Sequence, residues 1–330
     1  MKSHSYDFAG KDLALMLAAP LLPLVLFALA MHVGAATGIL PHPQPALDTD
    51  RTILTHQADA TRRKHDADLL LIGDSSCLMD VSAEKLGNAT IFRALNVGTL
   101  SYLDLSTFAE LLRHYAEANP NRLRAVVLLM HPEALRQPAG TEYYAEALAK
   151  FYIGKDYCTP MFSPSVCALG VEIFRGRILG RLIPLPLAGV YGRSYGFTHD
   201  LWEYLSNHRG SALDPGEFHP GTVAGNAEYR LAVALERNSR NFRAAVPDGA
   251  RLIVGITPIP ESFADTNYRQ RYRDMLNTWS EWLKADAVLT EMPGTLADDL
   301  FASTTHLNSR GVESYTAELA RALSRHVPPR

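Results

Sequence analysis

The chain of 330 residues has only three cysteines, at positions 77, 158 and 167, and no C-x-x-C spacing, which excludes a structural zinc ribbon or finger. It has no long run of Lys or Arg, and its formal net charge is -3, so the electrostatic footprint of a nucleic-acid binder is missing. It has no internal repeat and no low-complexity tract, which excludes solenoids and extended disordered arms. What remains is near-ordinary globular usage, 47% hydrophobic and 20% charged, in a length that suits one large domain and a tail.

One stretch departs from that average. Residues 13–33 (LALMLAAPLLPLVLFALAMHV) contain no charged residue, enough apolar length to cross a bilayer. Pro20 and Pro23 would break a soluble helix, but a membrane helix tolerates them better. Lys2 and Lys11 precede the stretch and no Lys or Arg follows until Arg51, a bias that keeps the N-terminus in the cytoplasm and places the rest outside. Ala28-Leu29-Ala30 also fits a small-x-small cleavage site, so a removed signal peptide is the alternative. Both readings export the main domain. Cys158 and Cys167 would then sit where a disulfide can form, although three buried thiols are equally compatible; Cys77 is left unpaired.

The expected organisation is a cytoplasmic tail at 1–12, a transmembrane helix at 13–33, a proline-bearing linker at 34–66, and one α/β domain at 67–330. Within it, DLLLIGDSS at 68–76, TIFRALNVG ending at Gly98, AVVLLMH at 125–131 and RLIVGITP at 251–258 read as buried strands. Residues 104–118, 265–284 and 309–325 carry helical periodicity, and the alternation predicts a parallel sheet with helices on both faces. Between about 135 and 225 the pattern loosens into Gly, Pro and aromatics, which reads as an insertion.

In such sheets ligands bind beyond the carboxyl ends of the strands, so the residues there are privileged. The first end presents Gly73-Asp74-Ser75-Ser76: a serine held at a strand-to-helix turn with amides nearby, suited to a nucleophile and part of an oxyanion hole. A histidine, His306, stands in STTHLNSRG just before the last amphipathic helix and is a candidate base. The aromatics Tyr191, Tyr195, Phe197, Trp202 and Tyr204 read as packing rather than sugar stacking, and His199, His208 and His219 lack a metal-ligand spacing. Neither metal nor cofactor is expected.

Through Gly73-Asp74-Ser75, Asn96-Val97-Gly98 and His306-Leu307-Asn308, the chain from about 68 to 327 resembles the SGNH, or GDSL, hydrolase family. The resemblance implies a flavodoxin-like three-layer sandwich, Ser75 as acyl-accepting nucleophile and His306 as its base. It also implies an oxyanion hole from the amides of Ser75 and Gly98, with Gly73, Asp74 and Asn96 as motif residues. Two departures stand out. The strand that should end in a third-block asparagine runs into Met130-His131-Pro132, where His131 could donate instead, and the aspartate usual three residues before the histidine is Ser303. Asp298 or Asp299 could supply a shifted acid, or a Ser-His dyad could be held by a carbonyl. Asp74 shapes the loop.

With its anchor, the chain is similar to proteins that acylate bacterial cell-surface polymers, of the alginate O-acetylation and teichoic-acid D-alanylation type. That implies a single-pass protein of the inner membrane with a periplasmic catalytic domain, a membrane-bound O-acyltransferase as partner, and a glycan or glycolipid acceptor. An exported esterase using the same residues on water, and a non-catalytic scaffold, are the alternatives.

Overall fold

The computed structural model describes residues 10–20, 22, 23, 26, 49–101, 103–136, 145, 146, 148, 149, 152, 201–221 and 228–327. The chain divides into two units, Met1–Leu47 with Lys155–Phe197, and Asp48–Gly154 with Thr198–Arg330.

In the first unit the described residues centre on α1 (Gly10–Ala18), which buries no side chain; Leu15 is 68% exposed and Leu17 67%. Among the described residues no helix is long and apolar enough to cross a membrane. The later part of the expected span at 13–33, from residue 27 on, lies outside the described residues, as do Cys158 and Cys167.

The second unit is built on β1 (Leu69–Gly73), β2 (Ala94–Asn96), β3 (Ala125–Met130), β4 (Arg251–Ile256) and β6 (Ala287–Val288), all parallel, in the order β2-β1-β3-β4-β6. This is the flavodoxin-like order, with its topological switch between β1 and β3. β1 and β3 are buried at every position, as their unbroken aliphatic runs require. Alternate side chains serve opposite layers. Leu69, Leu71, Val127, Leu129 and Ile253 share a core cluster with Val312, Tyr315, Leu319 and Leu323 of the last helix, α9 (Ser309–His326). The short helices α3 (Ser75–Asp80) and α4 (Ala83–Ala89) also contact α9. A second group of helices, each packed on the next, comprises α2 (Thr49–Arg62), α5 (Leu105–Ala118), α7 (Ala234–Ala245) and α8 (Tyr268–Leu283), of which α5 and α8 also contact sheet strands. The remaining small elements are α6 (Pro132–Leu135) and a two-stranded parallel pair of β5 (Ile259–Pro260) with β7 (Thr295–Leu296).

The stretch 34–66 is not a linker throughout. From Thr49 it forms α2, whose Ile53, Leu54 and Ala58 are buried, and Gln57 donates to the carbonyls of Gly98 and Gly210 at 2.8 and 2.9 Å. The globular unit therefore begins near residue 48, about twenty residues before the expected boundary. Four threonines, a histidine and two aspartates in fourteen residues conceal the narrow apolar stripe that docks.

Candidate active site

Ser75 stands at the first position of α3, directly beyond β1 and at the switch point of the sheet. Gly73 lets the chain turn there: a Cβ on it would lie 1.7 Å from the Leu129 carbonyl oxygen of the neighbouring strand, so no other residue fits without displacing β3. Asp74 caps the helix. One carboxylate oxygen accepts from the Ser76 amide at 3.0 Å and the Ser76 hydroxyl at 2.6 Å, and the other accepts from the His131 amide at 2.9 Å. Thr257, just past β4, donates to Ser76 Oγ at 2.9 Å. Asp74 thus ties together the ends of β1, β3 and β4 and is a loop-shaping residue.

His306 is carried by a tight loop before α9. Its carbonyl accepts from the amides of Ala302 and Ser303, the Leu307 amide donates to Asp80 Oδ1 at 2.8 Å, and Asn308 caps α9 through the amides of Arg310 and Gly311. The loop brings His306 Nε2 to 2.9 Å from Ser75 Oγ, across 231 positions of sequence. His306 Nδ1 lies 2.8 Å from Oδ2 of Asp214, and both side chains are only 16% exposed. Ser75, His306 and Asp214 form one hydrogen-bonded chain.

Asp214 replaces the expected acids. Asp298 accepts from the Ser262 amide and Asp299 pairs with Arg310 at 3.1 Å, so neither orients His306. Ser303 accepts from the His306 amide at 3.1 Å and also hydrogen-bonds Asp214, so it supports the pair without replacing the acid. A dyad without a carboxylate is likewise overturned. Asp214 reaches the site because the chain ahead of it is fastened to the end of β2, to α3 and to the turn between α3 and α4. The Arg209 carbonyl accepts from the Asn96 amide, Ser211 Oγ donates to Val81 and accepts from the Ala83 amide, and the Ala212 amide donates to Leu78. Gly210, at φ +84°, is needed there, because a Cβ would meet the Asn96 carbonyl oxygen at 1.9 Å. In sequence, Asp214-Pro215-Gly216 reads as an ordinary turn in a loose region, and no spacing rule connects it with a histidine 92 positions on.

The electrostatics suit a general base. The hydrogen bond from His306, reinforced by the Gly216 amide and Ser303, outweighs partial burial and holds Asp214 down at about 2. Burial works to lower the pKa of His306, but the Asp214 hydrogen bond and the neighbouring carboxyl groups outweigh it and raise the imidazole above its ordinary 6.5. Asp80, fully buried beneath the His306 loop, is pushed up to about 8 by burial, and its Oδ2 has no hydrogen-bond partner among the described residues. Asp214 is therefore the ionised carboxylate at neutral pH.

The groups free to donate near Ser75 differ from the expected set. Gly98 is a correction: its amide donates to Asn96 Oδ1 at 2.8 Å and is already spent. Asn96 is a scaffold, its amide group donating to Cys77 and Val81 carbonyls and to Ser211 Oγ. The Ser75 amide lies in the first turn of α3, where the helix offers it no acceptor. His131 Nδ1 accepts from the Glu133 amide at 3.1 Å, which puts the proton on Nε2; that nitrogen is buried and has no partner among the described residues. Burial and the proximity of His306 lower His131 to about 3, so it stays neutral. Ser101, which the sequence did not single out, lies with its hydroxyl 2.7 Å from Ser75 Oγ.

His131 also opens an aromatic run, edge-on to Tyr229 at 6.4 Å between ring centres, with Tyr229 5.7 Å from Tyr268. Tyr268 lines a cavity of about 440 Å³ with Tyr272, Arg269, Arg273 and Thr290–Thr295, formed by segments that follow β4 and β6. Of the remaining expected residues, Cys77 is a free buried thiol, His208 pairs with Glu84 at 2.9 Å, and Trp202 packs edge-on to His56. Tyr191, Tyr195, Phe197 and His199 lie outside the described residues. No protein-family model matches the chain, and no curated protein matches it in sequence.

Proposed function

We propose that this protein is a serine-dependent acyl-transfer enzyme acting outside the cytoplasm, which takes an acyl group onto Ser75 and passes it to a hydroxyl of a cell-surface glycan. The observation that carries the reading is the Asp214–His306–Ser75 chain, with contacts of 2.8 and 2.9 Å. Ionised Asp214 accepts a hydrogen bond from Nδ1–H and fixes the tautomer, leaving the Nε2 lone pair to take the Ser75 proton as Oγ attacks the acyl carbonyl. His306 then returns that proton to the leaving group, and in the second half-reaction deprotonates the acceptor hydroxyl.

The acid on His306 weighs against a scaffold by removing one of its two supports, the missing aspartate; the other is the missing third-block asparagine. The uncharged stretch 13–33 and the lysines before it support anchoring in the inner membrane with the domain in the periplasm. A membrane-bound O-acyltransferase is the partner that such an arrangement requires to bring an acyl group across.

Labelling with a serine-directed fluorophosphonate tests the reading. Wild type should label at Ser75, and Ser75→Ala and His306→Ala should not. A folded wild type that resists labelling sinks the proposal, and acyl transfer to added oligosaccharide, as opposed to free acid release, separates transferase from esterase.

A further inference from the structure

Among the described residues Ser75 Oγ has two partners, His306 Nε2 at 2.9 Å and Ser101 Oγ at 2.7 Å, and the proton inventory decides the direction of each bond. Ionised Asp214 can only accept, so the proton on its bond to His306 belongs to Nδ1. In the neutral imidazole Nε2 is then an acceptor, and it takes the single proton of Ser75. The contact with Ser101 is therefore donated by the Ser101 hydroxyl. The loop that carries Ser101 is fixed from below: the Thr99 amide donates to the Gly73 carbonyl at 2.9 Å, and the Gly98 carbonyl accepts from Gln57.

We infer that Ser101 is a catalytic residue whose hydroxyl stabilises the tetrahedral oxyanion, taking the place of the Gly98 amide that Asn96 has consumed. The inference rests on the serine acyl-transfer reading of the same site. In the resting enzyme Ser101 O–H points at Ser75 Oγ. As Oγ attacks, its proton passes to Nε2, a C–O bond forms, and the carbonyl π pair moves onto oxygen. Ser75 Oγ becomes an ester-type oxygen and a poorer acceptor, while the new oxyanion, geminal to it on the same carbon, becomes a far stronger one. The Ser101 hydroxyl turns to that oxyanion by rotation about its own C–O bond. When the carbonyl re-forms, the leaving group departs with the proton from His306, and Ser101 has kept its own throughout. A donor that gains strength only as charge develops lowers the barrier without tightening ground-state binding.

The test is hydrolysis of p-nitrophenyl acetate by the full chain, comparing wild type, Ser101→Ala, Ser101→Thr and Ser75→Ala. Removing an oxyanion donor costs about 10²–10³ in kcat. Ser101→Ala should lose that much with KM changed less than about threefold, Ser101→Thr should recover at least tenfold of it by restoring a hydroxyl, and Ser75→Ala should abolish turnover. An active, Ser75-dependent wild type whose Ser101→Ala variant keeps kcat within about threefold overturns this inference alone. So does a Ser101→Thr variant as impaired as Ser101→Ala. A wild type without Ser75-dependent turnover overturns the acyl-transfer reading and this inference with it.

Discussion

Asp214 and Asp80 are two carboxyl groups that both serve the His306 loop, and their environments drive them in opposite directions. Asp214 sits in the returning loop with the imidazole, the Gly216 amide and Ser303 as donors, and is held at about 2. Asp80 closes α3 in the core with one backbone donor and one orphaned oxygen, and is pushed to about 8. Hydrogen bonds that favour the charged form win at the first, and desolvation wins at the second. Proximity to the histidine therefore does not make a carboxyl its partner: the donor count does.

Breaking the first half of this contrast has the largest expected effect. Asp214→Asn should reduce kcat by roughly 10⁴, the scale seen when a triad aspartate becomes an amide that no longer accepts the Nδ1 proton. The pH profile carries the same information. The base must be neutral, so a raised His306 pKa moves the rise of kcat/KM with pH above 6.5, and removing the Asp214 charge should move the residual rise downward. A profile that stays in place in Asp214→Asn would mean that another group sets the acid limb.

The second half is sharpened by stability. Between the ordinary carboxyl value of 3.8 and about 8, folded Asp80 keeps a proton that the unfolded chain has released, so stability should fall as pH rises through that window. Asp80→Asn retains an acceptor for the Leu307 amide and removes the ionisation. Its Tm should be less sensitive to pH, and by pH 8 should stand above that of wild type. Parallel Tm curves for the two proteins would show that Asp80 ionises freely. The smallest effect is expected at the exposed pair: Asp299→Ala should leave kcat within about twofold, since its partner is Arg310.

The same contrast runs between the strands and the insertion. β1, β3 and β4 are legible because they are buried on both faces, so burial is written directly into unbroken aliphatic runs such as Leu69–Ile72 and Ala125–Met130. Helices at 104–118, 265–284 and 309–325 are legible because one face packs, leaving a periodic stripe. β6 and β7 have two residues each and partly exposed sides, too little to leave a pattern. α2 was missed because its apolar stripe is narrow among polar residues.

From sequence alone, the parallel α/β architecture, Ser75 beyond the first strand and His306 before the last helix could be determined, since each depends on local signals: an aliphatic run, a turn, a helix cap. Which acid serves His306, that the Gly98 amide is spent, and that Ser101 faces the nucleophile were decided only in three dimensions. Asp214 and His306 meet through the fastening of residues 209–212 to β2, α3 and the turn after α3, and Ser101 meets Ser75 through the loop beyond β2. Hydrogen bonds between segments 26 to 231 positions apart leave no periodicity behind, so only the packed sheet could bring them together.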